Sequence, residues 1–456
     1  MATPQTVFGR RRAGMLAHIT SLPGPGAQGT LGAEAYRFVD FLARASFSVW
    51  QTLPVGPVNV SASPYQSSSA FAGNTALLPD DGGLAYGSRY TEFREAQGYW
   101  LEDYVLYRAL QRRHASEPWY RWPVSLRDRE PDAIEAARVA LDADMEAERR
   151  AQYAFFEAWR RLKSHANASG VYLFGDLPMF AAHDSVDVWR HRELFCIDAV
   201  GGMTETAGAP PDAYAEQGQD WGCPQYRWDT AAGEGFRWWI ERLRMQTSQF
   251  DILRLDHFRG FDAGWRIPAG APSAAAGRWE PVPGEALFDA LHEALGPLSL
   301  VAEDLGHITP EVQDLRRRLG LPGMHVLQFA FGSDDANPHL PHNHEHQGVV
   351  YTGTHDNDTS LGWWRGLDAG TRERVLRYLD YPAEAMPWPF VHSALASVCA
   401  LAVLPLQDCL ALGSEARMNT PGTREGNWRW RCPQDALDDA LAEELGELVQ
   451  LYGRDG

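Results

Sequence analysis

The stretch DILRLDHFRGF (251–261) begins with an apolar run and ends that run in a carboxylate, Asp256. A short apolar run followed by a polar loop is typical of a buried strand that leads to a functional loop. Because side chains alternate along a strand, we expect Arg254 and Asp256 to lie on the same face. The stretch therefore predicts a buried strand with paired charged groups at its carboxyl end.

Similar apolar runs recur along the whole chain, and most of them end in polar residues. The eight runs are MLAHI (15–19), SVWQTL (48–53), VYLFGD (171–176), DILRLD (251–256), LSLVAED (298–304), MHVLQFAF (324–331), VVYTGTHD (349–356) and LAVLPLQD (401–408). Helical patterns such as YAFFEAWRRL (153–162) lie between them. Eight strand–helix units predict an α/β fold, a (β/α)8 TIM barrel that forms one domain over 1–456.

The spacing of these runs is uneven, which indicates insertions. Residues 54–170 separate the second and third runs, a distance far beyond one crossover helix. Residues 177–250 separate the third and fourth runs and include a segment rich in Gly and Pro. We therefore expect inserted, mostly helical subdomains after strands two and three, with 190–235 forming a loop region over the active site.

Charge and composition exclude several classes of partner. The formal net charge of -19 argues against nucleic acid or an anionic membrane as partner, since both require a basic surface. No apolar run approaches the roughly 18 residues of a membrane span, and His18 and Pro23 interrupt the apolar stretch after the N-terminal arginines. Five cysteines without a CxxC pair are typical of reduced thiols in a cytoplasmic protein and predict no disulfide or zinc site.

Acidic residues follow four of the predicted strands, and in a barrel these strand ends meet at one mouth. The candidates are Asp176 or Asp184, Asp256, Glu303, and Asp356. Arg254 should keep Asp256 ionised, whereas the apolar run LSLVAE should raise the pKa of Glu303. Two carboxyls in opposed environments are typical of glycoside cleavage with retention of configuration.

Other interpretations of these acids stay open at this point. A carboxylate at a strand end can cap a helix or form an ion pair. An Asp next to a His, as in 256–257 and 355–356, also occurs in metal sites. Spacing alone does not separate a glycosidase from a metal-dependent hydrolase.

Longer motifs occur in a fixed order over nearly the whole chain. They are SPYQSSSAFAGN (63–74), GDLPMFAAHDSVDVW (175–189), APPD with GQDWGCPQYRWD (209–229), RLDHFRGF (254–261), AEDLG (302–306), GTHDNDT (353–359) and QDCLALGSEARMNTPG with NWRWR (407–431). With these motifs the sequence resembles the amylomaltases, the 4-alpha-glucanotransferases of glycoside hydrolase family 77.

The resemblance implies Asp256 as the nucleophile, Glu303 as the general acid and base, and Asp356 as a third carboxylate that stabilises the transition state. It implies no cofactor and no metal. The matched contacts to the sugar or to the bound glucan are Tyr65, Asp184, Gln219, Trp221, Arg254, Phe329, His355 and Asn419. By local sequence, Tyr65 and Asn419 are also compatible with turns, and Trp221 with an anchor in the core.

The sequence departs from the family pattern in three respects. Thr75 stands where the family has a proline, and the path from Asn74 to Trp100 is much shorter than the several dozen residues of helix and loop that the family has there. We therefore expect the 54–170 subdomain to be shortened, which affects contacts to remote glucose units. Cys223 replaces an asparagine, and a thiol lacks the paired donor and acceptor of an amide.

The expected activity is transfer of α-1,4-glucan segments among maltooligosaccharides and dextrins derived from starch or glycogen, by a monomer or weak homodimer. A hydrolase of the same clan, of the α-glucosidase or amylase type, is the alternative. A non-catalytic glucan-binding protein would have no need of all three carboxylates.

Overall fold

A computed structural model describes residues 7–59, 62–79, 87–211, 215–423 and 425–455. Part of the shortened segment after Asn74, residues 80–86, and Asp212 of the APPD motif lie outside these ranges. The strands are β1 (Arg12–Leu16), β2 (Val49–Gln51), β3 (Tyr172–Leu177), β4 (Glu205–Ala209), β5 (Gln219–Pro224), β6 (Ile252–Leu255), β7 (Ala263–Pro268), β8 (Arg278–Pro281), β9 (Leu300–Ala302), β10 (Gly323–Val326), β11 (Gly348–Tyr351) and β12 (Leu401–Pro405).

Eight of these strands form one parallel sheet in the order β10-β11-β12-β1-β2-β3-β6-β9. They coincide with the eight apolar runs, and the predicted barrel is confirmed. Between the two outer strands, the Ala302 amide donates a hydrogen bond to the Pro322 carbonyl at 2.9 Å, which brings the sheet to near closure. The first strand begins earlier than its apolar run, at Arg12, whose buried guanidinium donates to the Val7 carbonyl and the Ser48 hydroxyl.

The α-helices surround this sheet or belong to the insertions. They span Ala33–Arg44, Ser88–Arg113, Val124–Arg127, Pro131–Ala140, Asp142–Ala168, Val186–Arg190, Trp228–Gly233, Arg237–Gln249, Gly284–Leu295, Pro310–Arg318, Ser360–Gly366, Ala369–Tyr378, Trp388–Ala396, Leu406–Cys409 and Asp439–Leu451. Within the described ranges, every helix is too short or too polar to cross a bilayer.

The inside of the barrel changes from apolar to polar along the strands. Val49, Phe174, Ile252 and Val301 belong to one buried apolar cluster inside the sheet. Polar groups lie at the carboxyl ends, where the Tyr351 hydroxyl donates to Gln51 at 2.9 Å. The apolar layers fix the strands, and the polar layer supports the mouth of the barrel.

The insertion after β2 is helical, as predicted. Its long helices Ser88–Arg113 and Asp142–Ala168 pack through aromatic side chains, with Trp100 5.8 Å from Phe156 and Phe93 5.6 Å from Tyr153 between ring centroids. The insertion is thus a packed layer against one side of the barrel.

The region after β3 contains strands in addition to helices, and these strands were not predicted. Its strands β4 and β5 join β7 and β8 in an antiparallel sheet of order β5-β4-β7-β8. These strands carry Gly, Pro and charged residues in place of an apolar run, so their sequences do not predict a sheet. Gly208 is required there, since a Cβ atom would lie 1.9 Å from the Gln219 carbonyl oxygen.

Candidate active site

A cation between two carboxylates forms the base of the site. Asp176 of β3 lies opposite Arg254 of β6 in the strand register. The Arg254 Nη1 atom donates to both Asp176 oxygens, at 2.8 and 2.7 Å, and to Asp256 Oδ1 at 2.9 Å. The side chains of Arg254 and Asp176 are 6% and 0% exposed, whereas that of Asp256 is 27% exposed. Arg254 therefore orients Asp256 toward the mouth of the barrel.

Glu303 follows β9 and is positioned by the turn after β6. One Glu303 carboxyl oxygen, Oε2, accepts the backbone amide of His257 at 2.7 Å. His257 has φ 50° and ψ 54°, a left-handed conformation that is unfavourable for a residue with a side chain. The main chain of Glu303 is also held, since its amide donates to Leu255 and its carbonyl accepts from Phe258, both at 3.1 Å.

The two carboxyls differ in their ionisation. Burial raises the pKa of Asp256 to about 6, although Arg254 lowers it. Burial raises the pKa of Glu303 to about 8, again against the effect of Arg254. At neutral pH Asp256 is therefore mostly ionised and Glu303 mostly protonated, the states expected of a nucleophile and a general acid.

Asp356 lies on the other side of the mouth, after β11. Asn419 Nδ2 donates to Asp356 Oδ1 at 2.6 Å, and Arg417 donates to the Asp356 carbonyl at 2.7 Å. Its side chain is 45% exposed and faces the cavity. Asn419 thus serves to orient the third carboxylate, in addition to any turn that it forms.

Tyr65 links the loop after β2 to this network. Its hydroxyl donates to Asp176 Oδ2 at 2.8 Å and lies 2.8 Å from His355 Nε2. Burial keeps the pKa of Tyr65 well above its ordinary value and lowers the pKa of His355. Since the Tyr65 proton is engaged by Asp176, a neutral His355 must carry its own proton on Nε2.

Strand β5 forms the opposite wall. Trp221 Nε1 donates to Gln219 Oε1 at 3.1 Å, and the Trp221 ring meets the His257 ring edge-on at 4.7 Å. Gln66 Nε2 donates to the Trp221 carbonyl at 3.2 Å and to Cys223 Sγ at 3.5 Å. The wall is thereby tied to the loop that carries Tyr65.

These groups surround a cavity of about 440 Å³. Of the residues predicted from the sequence, its lining includes Tyr65, Gln219, Trp221, Arg254, Asp256, Glu303, Asp356 and Asn419. His355 lies directly behind the lining through its contact with Tyr65. The structure thus brings all three predicted carboxylates into one cavity.

Two predicted residues lie elsewhere. Asp184 Oδ1 accepts hydrogen bonds from the Tyr107 hydroxyl at 2.7 Å and the Trp119 amide at 3.2 Å, within the helical insertion. Phe329 packs against the apolar cluster inside the barrel, 5.6 Å from the His339 ring. Neither lines the cavity, so their predicted contacts to the sugar have no support from this geometry.

Phe180 and Trp428 also line the cavity and were not predicted from the sequence. Asp176, one of the two candidates after the third predicted strand, is the buried partner of Arg254. Asp176 has a signal in the sequence, because it closes the third apolar run as Asp256 closes the fourth. Phe180 and Trp428 lie in loops, where side-chain direction has no periodic pattern.

Comparison with known proteins agrees with this geometry. The family model described as 4-alpha-glucanotransferase, glycoside hydrolase family 77, matches residues 17–82 and 84–436. The 4-alpha-glucanotransferase of Thermus thermophilus is 46% identical over 495 aligned positions, which cover 97% of this chain and 99% of that protein. The enzyme of the same name from Synechocystis is 41% identical and covers 98% of both chains.

A solved structure extends the likeness to three dimensions. The amylomaltase from Streptococcus agalactiae in complex with acarbose superposes with a TM-score of 0.93 at 31% identity, over 98% of this chain and 100% of that one. The fold, the site and the relatives agree with the resemblance seen in the motifs. The chain belongs to glycoside hydrolase family 77, the 4-alpha-glucanotransferases, and is a transferase of the glycosyltransferase type rather than a plain hydrolase.

Proposed function

We propose that this enzyme moves a segment of an α-1,4-glucan to the 4-hydroxyl of an acceptor glucose or glucan, with Asp256 as nucleophile and Glu303 as acid and base. The observation that carries the proposal is that Asp256 and Glu303 line one cavity, where Arg254 holds Asp256 and the His257 amide holds Glu303. Desolvation supports it, because it raises the pKa of Asp256 to about 6 and that of Glu303 to about 8. The names of the relatives and the acarbose bound to the Streptococcus agalactiae enzyme support an α-glucan substrate.

In the first step Asp256 attacks the anomeric carbon, while Glu303 protonates the glycosidic oxygen of the leaving fragment. A covalent bond forms between Asp256 and the glucan as the glycosidic bond breaks. Asp256 loses its negative charge when this bond forms, and its ion pair with Arg254 weakens. Asp356, held by Asn419 at 2.6 Å, is placed to bind sugar hydroxyls and to stabilise positive charge on the ring.

In the second step Glu303, now ionised, removes the proton from the 4-hydroxyl of the acceptor, which attacks the anomeric carbon and releases Asp256. Two inversions give net retention. Transfer prevails when an acceptor sugar occupies the cavity and water does not. The apolar surfaces of Trp221, Phe180 and Trp428 support this exclusion of water.

The departures from the family pattern bear on how glucans are held. The alignment of 495 positions is longer than this chain, and the family match is interrupted at residue 83. Both support a shortened 54–170 insertion. We also propose that the enzyme is a cytoplasmic monomer or weak homodimer.

Incubation with maltotriose tests the function. We expect glucose together with maltooligosaccharides longer than maltotriose, separated and quantified by chromatography. Glucose and maltose without longer products would contradict the proposal and support a hydrolase. The Asp256→Ala variant should form neither set of products, and undiminished turnover by it would overturn the assignment of the nucleophile.

A further inference from the structure

A second cavity, of about 530 Å³, lies between the helical insertion and the barrel. It is larger than the catalytic cavity of about 440 Å³. Phe71, Tyr99, Trp100 and Trp238 line it together with charged residues. Among the described residues, none lines both this cavity and the catalytic one. The reaction described above makes no use of it.

Aromatic rings form the floor of this second cavity. The Phe71 ring is central, with centroid distances of 5.8 Å to Tyr99, 6.5 Å to Trp100 and 6.2 Å to Trp238. Three of these rings are almost fully buried, but Tyr99 is 38% exposed. An exposed ring beside an apolar floor suits the C–H face of a sugar ring, which stacks on aromatic surfaces.

Polar groups form the rim. Glu234 and Arg237 are exposed, and within the described part of the chain their side chains form no hydrogen bond or ion pair. Arg190, by contrast, is fixed by the carboxylate of Asp103, which also accepts from Arg129 at 2.7 Å. The rim thus offers free donors and acceptors to hydroxyl groups.

The charge of the rim selects the class of ligand. Carboxylates outnumber guanidinium groups in the lining, since Asp103, Asp187, Glu193, Glu234 and Glu241 face Arg190 and Arg237. A polyanion would be repelled by this excess of negative charge. A neutral polyhydroxylated chain is not repelled, and both signs of charge hydrogen-bond to its hydroxyls.

A short loop separates this cavity from the catalytic network. Ser69 and Asp187 line both the second cavity and a smaller one that also contains Tyr65 and Asp176. Asp187 accepts the Ala70 amide at 2.8 Å and the Trp238 indole N–H at 3.3 Å, so hydrogen bonds hold the wall between the two cavities. A glucan held in the second cavity therefore lies next to the loop that carries Tyr65.

One side of the cavity is formed by a helix that follows the interruption in the family match. The family match breaks at residue 83, shortly before the Ser88–Arg113 helix that carries Tyr99 and Trp100.

We propose that this cavity is a second binding site for α-glucan chains, in which Tyr99 stacks on a glucose ring and Glu234 and Arg237 bind its hydroxyls. The choice of ligand rests on the proposed function. The site raises the affinity of the enzyme for long glucans and takes no part in the reaction at Asp256.

Retention in a native gel that contains soluble amylose measures binding directly. In the Asp256→Ala background, which prevents turnover, Tyr99→Ala and Arg237→Ala should each weaken retention about fivefold, the effect of losing one stacking or polar contact. The matched control is Tyr381→Ala, since Tyr381 is 56% exposed and lies outside this cavity. In otherwise wild-type enzyme, the same two variants should raise KM for amylose and leave both kcat and KM for maltotriose unchanged.

Unchanged amylose retention in both variants would overturn the proposal, as would an equal loss of activity on maltotriose, which would assign the effect to the catalytic cavity. Failure of the proposed transferase function has a different signature. Wild-type enzyme would then produce no lengthened products from maltotriose, whereas amylose retention by the Asp256→Ala protein would still report on the second cavity.

Discussion

Arg254 donates from one nitrogen atom to Asp176 and to Asp256, so two carboxylates share a single cation. The charge of Asp176 contributes to the raised pKa of Asp256, which is about 6. Replacement of Asp176 by Asn removes this charge and leaves Arg254 to Asp256 alone. We expect the pKa of Asp256 to fall, so that the acidic limb of the kcat/KM profile on maltotriose shifts to lower pH by about one unit.

Asp184→Asn is the matched control for this pH profile. Asp184 bonds to Tyr107 and Trp119 in the insertion and not to Arg254. The control should leave the acidic limb near pH 6, where ionisation of Asp256 places it. An equal shift of the acidic limb in both variants would contradict the role given to Asp176. It would also indicate that Asp184 takes part in the catalytic network.

Glu303 links catalysis to stability through its own ionisation. Its pKa rises from 4.5 to about 8 in the folded protein. The folded-state pKa is the higher one, so burial of Glu303 costs no stability below pH 4.5. The free energy of unfolding falls as the pH rises from that value through about 8. Glu303→Gln should therefore raise Tm by about 1–3 °C at pH 8 and hardly at pH 4.5, while abolishing transfer.

Thermal unfolding at both pH values checks this expectation. Glu293→Gln, at an exposed position on the Gly284–Leu295 helix, provides the control. Its effect on Tm should be the same at the two pH values. A gain for Glu303→Gln that does not depend on pH would show that burial of this carboxyl is not the cause.

The eight barrel strands could be predicted because each is buried on both faces and therefore forms a continuous apolar run. The run alone also predicts Asp176 and Asp256 at strand ends, but not that Arg254 lies opposite Asp176, which follows from the register of β3 and β6. The antiparallel sheet could not be predicted. Its strands, such as ETAGA in β4, carry no apolar run and are held by pairing with other strands of that sheet.

Asp184 and Phe329 show the limit of motif matching. Both lie in matched segments, but Asp184 faces the insertion and Phe329 the inside of the barrel. A match fixes the position of a residue along the chain. The direction of its side chain depends on contacts outside the motif, with Tyr107 for Asp184 and with His339 for Phe329.

Strand β5 places the Trp221 ring in the same cavity as Glu303 and edge-on against His257, whose amide donates to Glu303. Removal of this ring in Trp221→Ala should admit water to the covalent intermediate. We expect the ratio of hydrolysis to transfer to rise severalfold, measured as reducing ends formed relative to lengthened products from maltotriose. Phe329→Leu should leave the ratio unchanged, and an equal rise in that variant would place Phe329 at the cavity after all.

The barrel and the helical insertion meet at the loop that carries Tyr65. Contacts of the insertion with this loop therefore affect the active site. Gln152 of the Asp142–Ala168 helix accepts the Gly73 amide at 2.9 Å and donates to the Gly73 carbonyl at 3.0 Å. The Phe155 ring of the same helix packs directly on Gly73. The insertion therefore holds the loop in place from outside the barrel.

A pair of Gly→Ala variants separates this packing from any general effect of the substitution. In Gly73→Ala the new Cβ atom would lie 1.9 Å from Phe155 Cδ1, so the ring or the loop must move. We expect a loss of about 1–3 kcal/mol in the free energy of unfolding, with lower activity because Tyr65 moves with the loop.

In Gly98→Ala, within the Ser88–Arg113 helix, the Cβ atom would meet nothing within 4 Å. That variant should gain about 0.5–1 kcal/mol from helix propensity and keep its activity. Denaturant unfolding and maltotriose turnover measure both effects, and a Gly73→Ala protein as stable and as active as Gly98→Ala would show that the insertion does not hold the Tyr65 loop.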